Sequence, residues 1–596
     1  MIINGILRYI KLSFGYFKSG GFKLAFRQIA NKIKKDKKFD YSGISVEKRK
    51  QQQSTKFNKD IKFSILVPLF NTPQKYLKEM ILSVLAQTYG NFELCLADGS
   101  DDKHSYVKET VAEFSRFDER IIYKKLQING GISQNTNECL KMATGNYISL
   151  LDHDDILHPS ALFETMKAIC EKNADFIYTD EVAFVGDDLS EISVFHFKPD
   201  FSPDNLRANN YICHFSSFSE KLIELTGGFR SEFDGSQDHD LILRLTDAAK
   251  NICHIPKILY FWRSHQGSVA AGIEAKSYAV DAGIKAVKAN IEDSGQKCDV
   301  SSIDAFPSVY RISYKFSEHP FVSVIIPITD GSVDIGGLLK TIYKNASYAN
   351  FEVICAVSKR LNGKIAGCNE TDSAVSNFKI IYFDSESEIE LLNDAAELAG
   401  GDFLLLLNQK TIDLSDRWIS ELLMYAMRDE VGATGGFIRF KDLSLKFAGT
   451  VLGLGEQGIA GSPFFRYPAD SIGYMGKLLY AQNITAVSSD CMAVRRSLFT
   501  KIGGFDTSFG KYLSSADFCL KLQNYGKLAV ITPFAATVVS CKKEKDFDNF
   551  KKEEVDLFKK RWNNEILKGD PYYNPNFSLK WDYDINFSRL QLDCCD

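Results

Sequence analysis

The chain has 596 residues, of which 45% are hydrophobic and 25% charged, and a formal charge of -4. That length exceeds one hydrophobic core and fits two domains of about 200–250 residues with a leader and a tail, while the near-neutral balance excludes an overall attraction to nucleic acid. The 13 cysteines form no CxxC pair and no Cys/His cluster at zinc spacing, which reads as reduced cytosolic thiols, and no apolar run approaches the roughly 18–20 residues of a membrane span.

Residues 1–60 depart from this average, with fifteen Lys and Arg against four acids. Ile6, Leu7, Ile10, Leu12, Phe14 and Phe17 interleave with Arg8, Lys11 and Lys18. This is a basic, helical, amphipathic leader suited to an anionic membrane surface; a helical extension packed on the rest of the chain accounts for the same pattern. No small-residue cleavage site follows a continuous apolar core, so a secretory signal is not expected. Residues 47–60, with Lys48-Arg49-Lys50-Gln51-Gln52-Gln53, read as a polar linker.

Beyond the linker the chain reads twice in the same way. Phe63-Ser64-Ile65-Leu66-Val67-Pro68 and Val322-Ser323-Val324-Ile325-Ile326-Pro327 are short apolar runs closed by proline, predicted as buried parallel strands. An amphipathic helix follows each, then a second strand, Phe92–Ala97 or Phe351–Ala356. Strand, helix, strand implies a right-handed βαβ unit. Ala143-Thr144-Gly145-Asn146 corresponds to Ala399-Gly400-Gly401-Asp402, and Gly227-Gly228-Phe229-Arg230 to Gly503-Gly504-Phe505-Asp506. A period this long signals domain duplication. The expected domains are a leader and linker at 1–60, a first α/β domain at 61–300, a second at 301–545 and a tail at 546–596.

In open α/β sheets ligands bind beyond the carboxyl ends of the strands. Three acidic groups fall there in the first copy. Asp98-Gly99-Ser100-Asp101-Asp102 follows the second strand; it offers a carboxylate to a nucleobase N–H, and it is also an ordinary turn sequence. Asp152-His153-Asp154-Asp155 ends an apolar strand with three acids in four positions. Such crowding is costly unless a cation neutralises it, as Mg²⁺ or Mn²⁺ would. Helix N-capping accounts for Asp155 but not for Asp152 and Asp154. The third group is Gln237-Asp238-His239-Asp240, where a helix start accounts for Asp240.

The succession Pro68-Leu69-Phe70-Asn71, Asp98-Gly99-Ser100, Asn129-Gly130-Gly131-Ile132-Ser133, Leu151-Asp152-His153-Asp154-Asp155, Gly227-Gly228-Phe229-Arg230, Gln237-Asp238-His239-Asp240 and Trp262-Arg263-Ser264-His265 resembles glycosyltransferase family 2. All the motifs occur in the family's order over about 200 residues. Phe197-Lys198-Pro199-Asp200 and Asp570-Pro571-Tyr572-Tyr573-Asn574-Pro575-Asn576 resemble the long tandem members that build bacterial surface polysaccharides.

The resemblance implies two tandem GT-A domains and an inverting, metal-dependent transfer of a hexosyl or deoxyhexosyl group from a nucleotide-diphosphate sugar. The implied acceptor is a hydroxyl of a bacterial surface glycan or its polyprenyl carrier, and the implied place is the cytoplasm or the inner face of its membrane. Pro68, Phe70, Asn71, Asp98, Gly131, Asp152 and Arg263 match positions that hold the nucleotide sugar. Asp154 and His265 match metal positions for Mg²⁺ or Mn²⁺, although a core histidine also fits His265. Asp238 matches the general base, with Gln237 where the family often has glutamate.

In the second copy Ala356-Val357-Ser358 replaces the base-reading turn, Asn408-Gln409-Lys410-Thr411 the metal acids and Ser515 the general base, while Asp517 keeps the helix-side acid. This copy reads as non-catalytic, with roles in holding glycan, positioning the acceptor or forming a homo-oligomer; the alternative is a bifunctional enzyme. Trp418, Tyr467 and Tyr474 are candidate aromatic platforms, with core packing the simpler account. A nucleotidyltransferase is disfavoured because Pro68–Pro73 is not a basic, glycine-rich phosphate loop. A non-catalytic glycan-binding scaffold is disfavoured by the intact Asp152, Asp154 and Asp238.

Overall fold

The computed structural model describes residues 41–264, 277–364, 377–543 and 549–590. Two compact units divide the chain. The first takes the described residues up to Gln296, with Val300–Tyr310 and the residues after Ile585; the second takes Lys297–Asp299 and Arg311–Ile585. Among the described residues no helix is long and apolar enough to cross a membrane.

In the first unit β1 (Phe63–Leu69), β2 (Phe92–Asp98), β3 (Ile121–Lys125), β4 (Tyr147–Leu150), β5 (Ile156–Leu157), β6 (Phe176–Val185), β7 (Ile192–His196), β8 (Ser216–Ser219) and β9 (Ile252–Ser264) form one sheet. Its order is β3-β2-β1-β4-β8-β6-β9-β5, with β7 paired to β6. The strands β3, β2, β1 and β4 run parallel, and β8 is reversed between β4 and β6. Every residue of β1 and β2 is buried, as unbroken apolar runs require of a sheet covered on both faces. Helix Gln74–Leu85 supplies part of that cover through Leu77, Met80, Ile81 and Val84, whose spacing puts all four on one side.

The second unit repeats this order strand for strand. Phe378–Phe383, Phe351–Ser358, Val322–Ile328, Phe403–Leu407, Cys491–Arg495, Val431–Phe440, Leu528–Val539 and Thr411–Leu414 follow one another across its sheet. Two α/β units whose sheets share this order are the tandem arrangement expected from the sequence. The repeat extends to side chains. Ser64 Oγ donates to Glu93 at 2.6 Å and accepts from Gly145 N at 2.8 Å, while Ser323 Oγ donates to Glu352 at 2.7 Å and accepts from Gly401 N at 2.9 Å. A Cβ on Gly145 would stand 2.6 Å from Lys62 O, and one on Gly401 2.5 Å from Ser323 N. Only glycine permits this approach.

Two expected borders look different in three dimensions. Residues 47–60, expected as a linker, include helix Val46–Ser54, which docks on the first unit: Arg49 donates to Ala86 O at 2.9 Å, and Gln52 is buried and accepts from Thr88 Oγ1 at 2.7 Å. Polar side chains with fixed partners do what apolar ones do elsewhere. Residues 1–40 of the leader lie outside the described residues. The described tail as far as Ile585 is integral to the second unit. Helix Lys552–Lys568 sends Phe558 and Trp562 into its core, and Asp570 is buried against Leu452 N at 2.7 Å and Thr485 Oγ1 at 2.6 Å.

The three aromatic candidates pack internally. Trp418 is fully buried, Tyr467 is buried, and Tyr474 stacks 5.3 Å from Tyr583.

Candidate active site

Strand ends and one loop assemble the site. Pro68 lies inside β1 beside Ala97, and Phe70, just past the strand, is 47% exposed. Asn71 takes a left-handed φ of 51°, donates its N–H to Ser100 Oγ at 2.8 Å and accepts from Asp101 N at 3.1 Å. The ends of β1 and β2 are thereby tied together. Asp98 closes β2, is 1% exposed and accepts from Ser100 N at 2.8 Å, Tyr123 OH at 2.7 Å and Lys125 Nζ at 3.3 Å. Gly131, at a φ of +89°, opens helix Ile132–Met142 with its N–H on Asn129 Oδ1, a backbone that a side chain would strain.

The acids after β4 divide by role. Asp155 is fully buried and caps no helix; Tyr260 OH and Arg263 N, the latter at 2.7 Å, donate to it. Burial first, then the charges of Asp152 and Asp154, push its pKa well above the usual carboxylate range. Asp155 therefore anchors the loop, and Asp152 and Asp154 remain at its partly exposed surface. Asp152 lies 3.4 Å from His214 Nε2. Burial opposes a charge on His214, but the Asp152 carboxylate beside it favours one and its pKa stands raised above normal. The His214 ring stacks on Tyr260 at 4.9 Å.

Asp238 sits in the first turn of helix Gln237–Ala248 and accepts from Asn210 Nδ2 at 2.9 Å, with Cys213 Sγ at 3.8 Å. Cys213 and His214 are neighbours in one loop. That loop therefore brings Asp238 and Asp152 to its two sides, although they are far apart in sequence. Asp240, by contrast, is buried between Arg230 and Arg244, an internal ion pair that orients the helix.

Arg263 has a different job from the one expected. It is 1% exposed and donates to Asp154 O at 2.8 Å, Gly186 O at 2.7 Å and Glu79 at 2.6 Å. Its guanidinium also lies 4.3 Å over the Tyr76 ring. With its donors committed, it fixes the backbone beneath Asp154 instead of reaching a diphosphate. His265 lies outside the described residues.

Sequence reasoning missed Asn210, Cys213, His214 and Lys198. Lys198 is fully buried, and its ammonium donates to Glu181 at 3.1 Å, Ile212 O at 2.6 Å and His214 O. It pins the loop that presents Asn210 and His214. In the same motif Asp200 stands 3.1 Å from His254, which also meets Asp180 at 2.9 Å. A lysine set between Phe197 and Pro199 was the available signal, since a lysine is almost never fully buried without partners. Lys198→Met should cost about 1–3 kcal/mol by leaving two buried carbonyls without their donor and Glu181 with His196, at 2.7 Å, as its remaining partner. Urea denaturation measures this, and an unchanged midpoint would show that the loop is held by other groups.

Asp152 and Asp154 are hard oxygen donors of the kind Mg²⁺ and Mn²⁺ use, with substrate phosphate oxygens and water completing the shell. Between them His153 buries Nδ1 without a hydrogen-bond partner among the described residues. Among the same residues no group of three or more His, Cys, Asp or Glu is placed to hold a metal. The donor set fits such an ion.

The family described as Glycosyl transferase family 2 matches residues 64–224. These residues form a family 2 glycosyltransferase domain. The match takes in Asp98, Asp152 and Asp154; Asp238 and Arg263 fall beyond it. The chain is 33% identical over 535 residues to the uncharacterized protein y4gI of Sinorhizobium fredii, covering 87% of this chain and 58% of that protein. It is 29% identical over 519 residues to the O-antigen biosynthesis protein RfbC of Myxococcus xanthus, covering 87% of this chain and 40% of that one. The chain thus spans less than two thirds of either relative. Among solved structures, S. aureus TarS in complex with UDP is similar over 39% of this chain and 65% of that chain, at 19% identity and a TM-score of 0.31.

Proposed function

We propose that the first unit is an inverting glycosyltransferase that moves a sugar from a nucleotide diphosphate to a hydroxyl of a bacterial surface glycan or its lipid carrier. The observation that carries this reading is the placement of Asp238 and Asp152 on either side of Cys213–His214. Asp98, at the end of β2, is the carboxylate for the donor's base, with Tyr123 and Lys125 holding its position. Asp152 and Asp154 would hold Mg²⁺ or Mn²⁺, which supplies charge stabilisation to the departing diphosphate. Asp238 accepts the proton of the acceptor hydroxyl as that oxygen attacks the anomeric carbon from the face opposite the leaving group. Asn210 keeps the carboxylate aimed. Attack from that face inverts configuration, and no covalent enzyme intermediate is needed. Similarity to an O-antigen biosynthesis protein supports a polysaccharide product. The test is release of nucleoside diphosphate from a panel of sugar donors by the purified full chain, with and without Mn²⁺, and mass spectrometry of the acceptor. No sugar-dependent release from any donor would overturn the reading.

The second unit, in this reading, does not catalyse. Val357 stands at the register position that Asp98 holds in the first unit, Asn408 and Lys410 take the places of Asp152 and Asp154, and Lys410 lies 3.4 Å from Asp330. Its two candidate bases are occupied. Asp517 is fully buried against Arg561 at 2.6 Å and Trp562 Nε1 at 3.0 Å. Burial pushes the pKa of Asp490 up, but Lys511 and Lys446 more than offset that and bring it to about 2, too low for an effective base. Combining Asp154→Ala with Asp238→Asn should therefore leave no transfer from any donor. Residual transfer that disappears on adding Lys410→Ala would make the protein bifunctional.

A further inference from the structure

The second unit retains a cavity of about 360 Å³ at its Asp490, near the lower end of the range for small-molecule sites. Strand register relates it to the first unit. Tyr147 and Phe403 each pair with the first residue of their central strand, and Ser217 and Ala493 hold equivalent places on the reversed strand. Counting back from these, Asp490 stands where the first unit has His214, and Asn408 where it has Asp152. The first unit joins a histidine to a carboxylate at 3.4 Å; the second joins an asparagine Nδ2 to a carboxylate at 2.6 Å, with the acid on the opposite partner. The contact has survived with its polarity reversed. The helices after it also correspond, since Asp240 pairs with Arg244 and Asp517 with Lys521, each four residues on. By that match Ser515 replaces Asp238.

The lining has a definite chemistry. Asp490 meets Lys511 at 2.7 Å and Lys446 at 3.8 Å, and Lys511 also meets Glu388 at 2.6 Å. The lining charges Lys446, Asp490, Lys511 and Glu554 cancel. A nucleoside diphosphate needs surplus positive charge or a metal, and this cavity offers no surplus. Beside the ion pairs are aromatic rings: Tyr512 lies 6.1 Å from Phe447 and 5.7 Å from Phe550. Compensated charges that act as hydrogen-bond donors and acceptors, set next to aromatic faces, suit a ligand of neutral hydroxyls and C–H faces.

We infer that the second unit binds a neutral saccharide in the cavity beside Asp490, as a glycan-binding site without a catalytic base. The inference rests on the reading of the first unit as a sugar transferase, because that reading supplies the class of ligand. It differs from that reading in what tests it.

The experiment is saturation-transfer NMR on the full chain carrying Asp238→Asn. The probes are glucose, galactose, N-acetylglucosamine, rhamnose and their methyl glycosides, with UDP as competitor. At least one neutral sugar should give a signal that UDP does not displace. Tyr512→Ala should weaken that binding at least tenfold, and Asp154→Ala should leave it unchanged. Asp490→Asn gives a second variant should Tyr512→Ala shift the unfolding midpoint. No signal from any sugar, a signal that UDP removes, or one lost with Asp154→Ala but kept with both cavity variants would overturn the inference. A sugar signal with these properties, together with no nucleotide release by the wild-type chain, would sink the transferase reading and leave the binding site standing.

Discussion

Replacing Asp238 by asparagine should lower the rate of sugar transfer by roughly 10²–10⁴ and leave donor binding at its wild-type level. The substitution isolates proton acceptance. Asparagine has nearly the same shape, can still accept from Asn210 Nδ2 through its amide oxygen, and is well tolerated near a helix N-terminus. Stability and the placement of the Cys213–His214 loop should therefore hold, and only the basic oxygen is lost. Single-turnover transfer measures the rate, and titration with the donor nucleotide measures binding. An asparagine variant that transfers at the normal rate would reduce Asp238 to a helix-end residue and move the base elsewhere.

Asp154→Ala should abolish measurable transfer, a loss of roughly 10³-fold or more if the ion's several kcal/mol of charge stabilisation disappear. Wild-type activity should vanish in EDTA and return with Mn²⁺ or Mg²⁺, whereas the variant should not recover. The fold should tolerate the change. Arg263 holds the backbone oxygen of residue 154, not its carboxylate, so that bond survives in alanine. Removing one of three close acids also relieves the repulsion that raises the pKa of Asp155, and the variant should unfold at the wild-type urea concentration or above it. Full activity of the untreated enzyme in EDTA would refute the assignment of Asp152 and Asp154 as metal carboxylates.

The parts of this site legible in the sequence were those fixed by local pattern. Apolar runs located the strands, so the acids at their ends, Asp98, Asp152 and Asp154, could be placed there without coordinates. Asp238 needed the family's motif order. What stayed hidden depended on pairings between distant segments. Arg263 read as a diphosphate ligand because nothing near it in sequence reveals Glu79, its partner 184 positions away. Asp155 read as a helix cap because the hydroxyl that binds it belongs to Tyr260, 105 positions on. The exchange of His214 for Asp490 is invisible to alignment by residue type and emerges only from strand register. Helix Val46–Ser54 was missed for a different reason: its docked side is made of Gln52 and Arg49, so it carries no apolar stripe to detect.

The tail helix bears on how the chain is made. Asp517, in helix Lys511–Asn524, and the aromatic core around it precede the last strand, which ends at Val539, yet groups that neutralise and cover them, Arg561, Trp562 and Phe558, come later. During synthesis the first unit's sheet has emerged long before, but the second unit cannot close its core until helix Lys552–Lys568 has left the ribosome. Until then it carries a carboxylate with two of its partners missing and an open apolar face. Release of the chain between Val539 and Lys552 would leave that apolar face uncovered and open to aggregation.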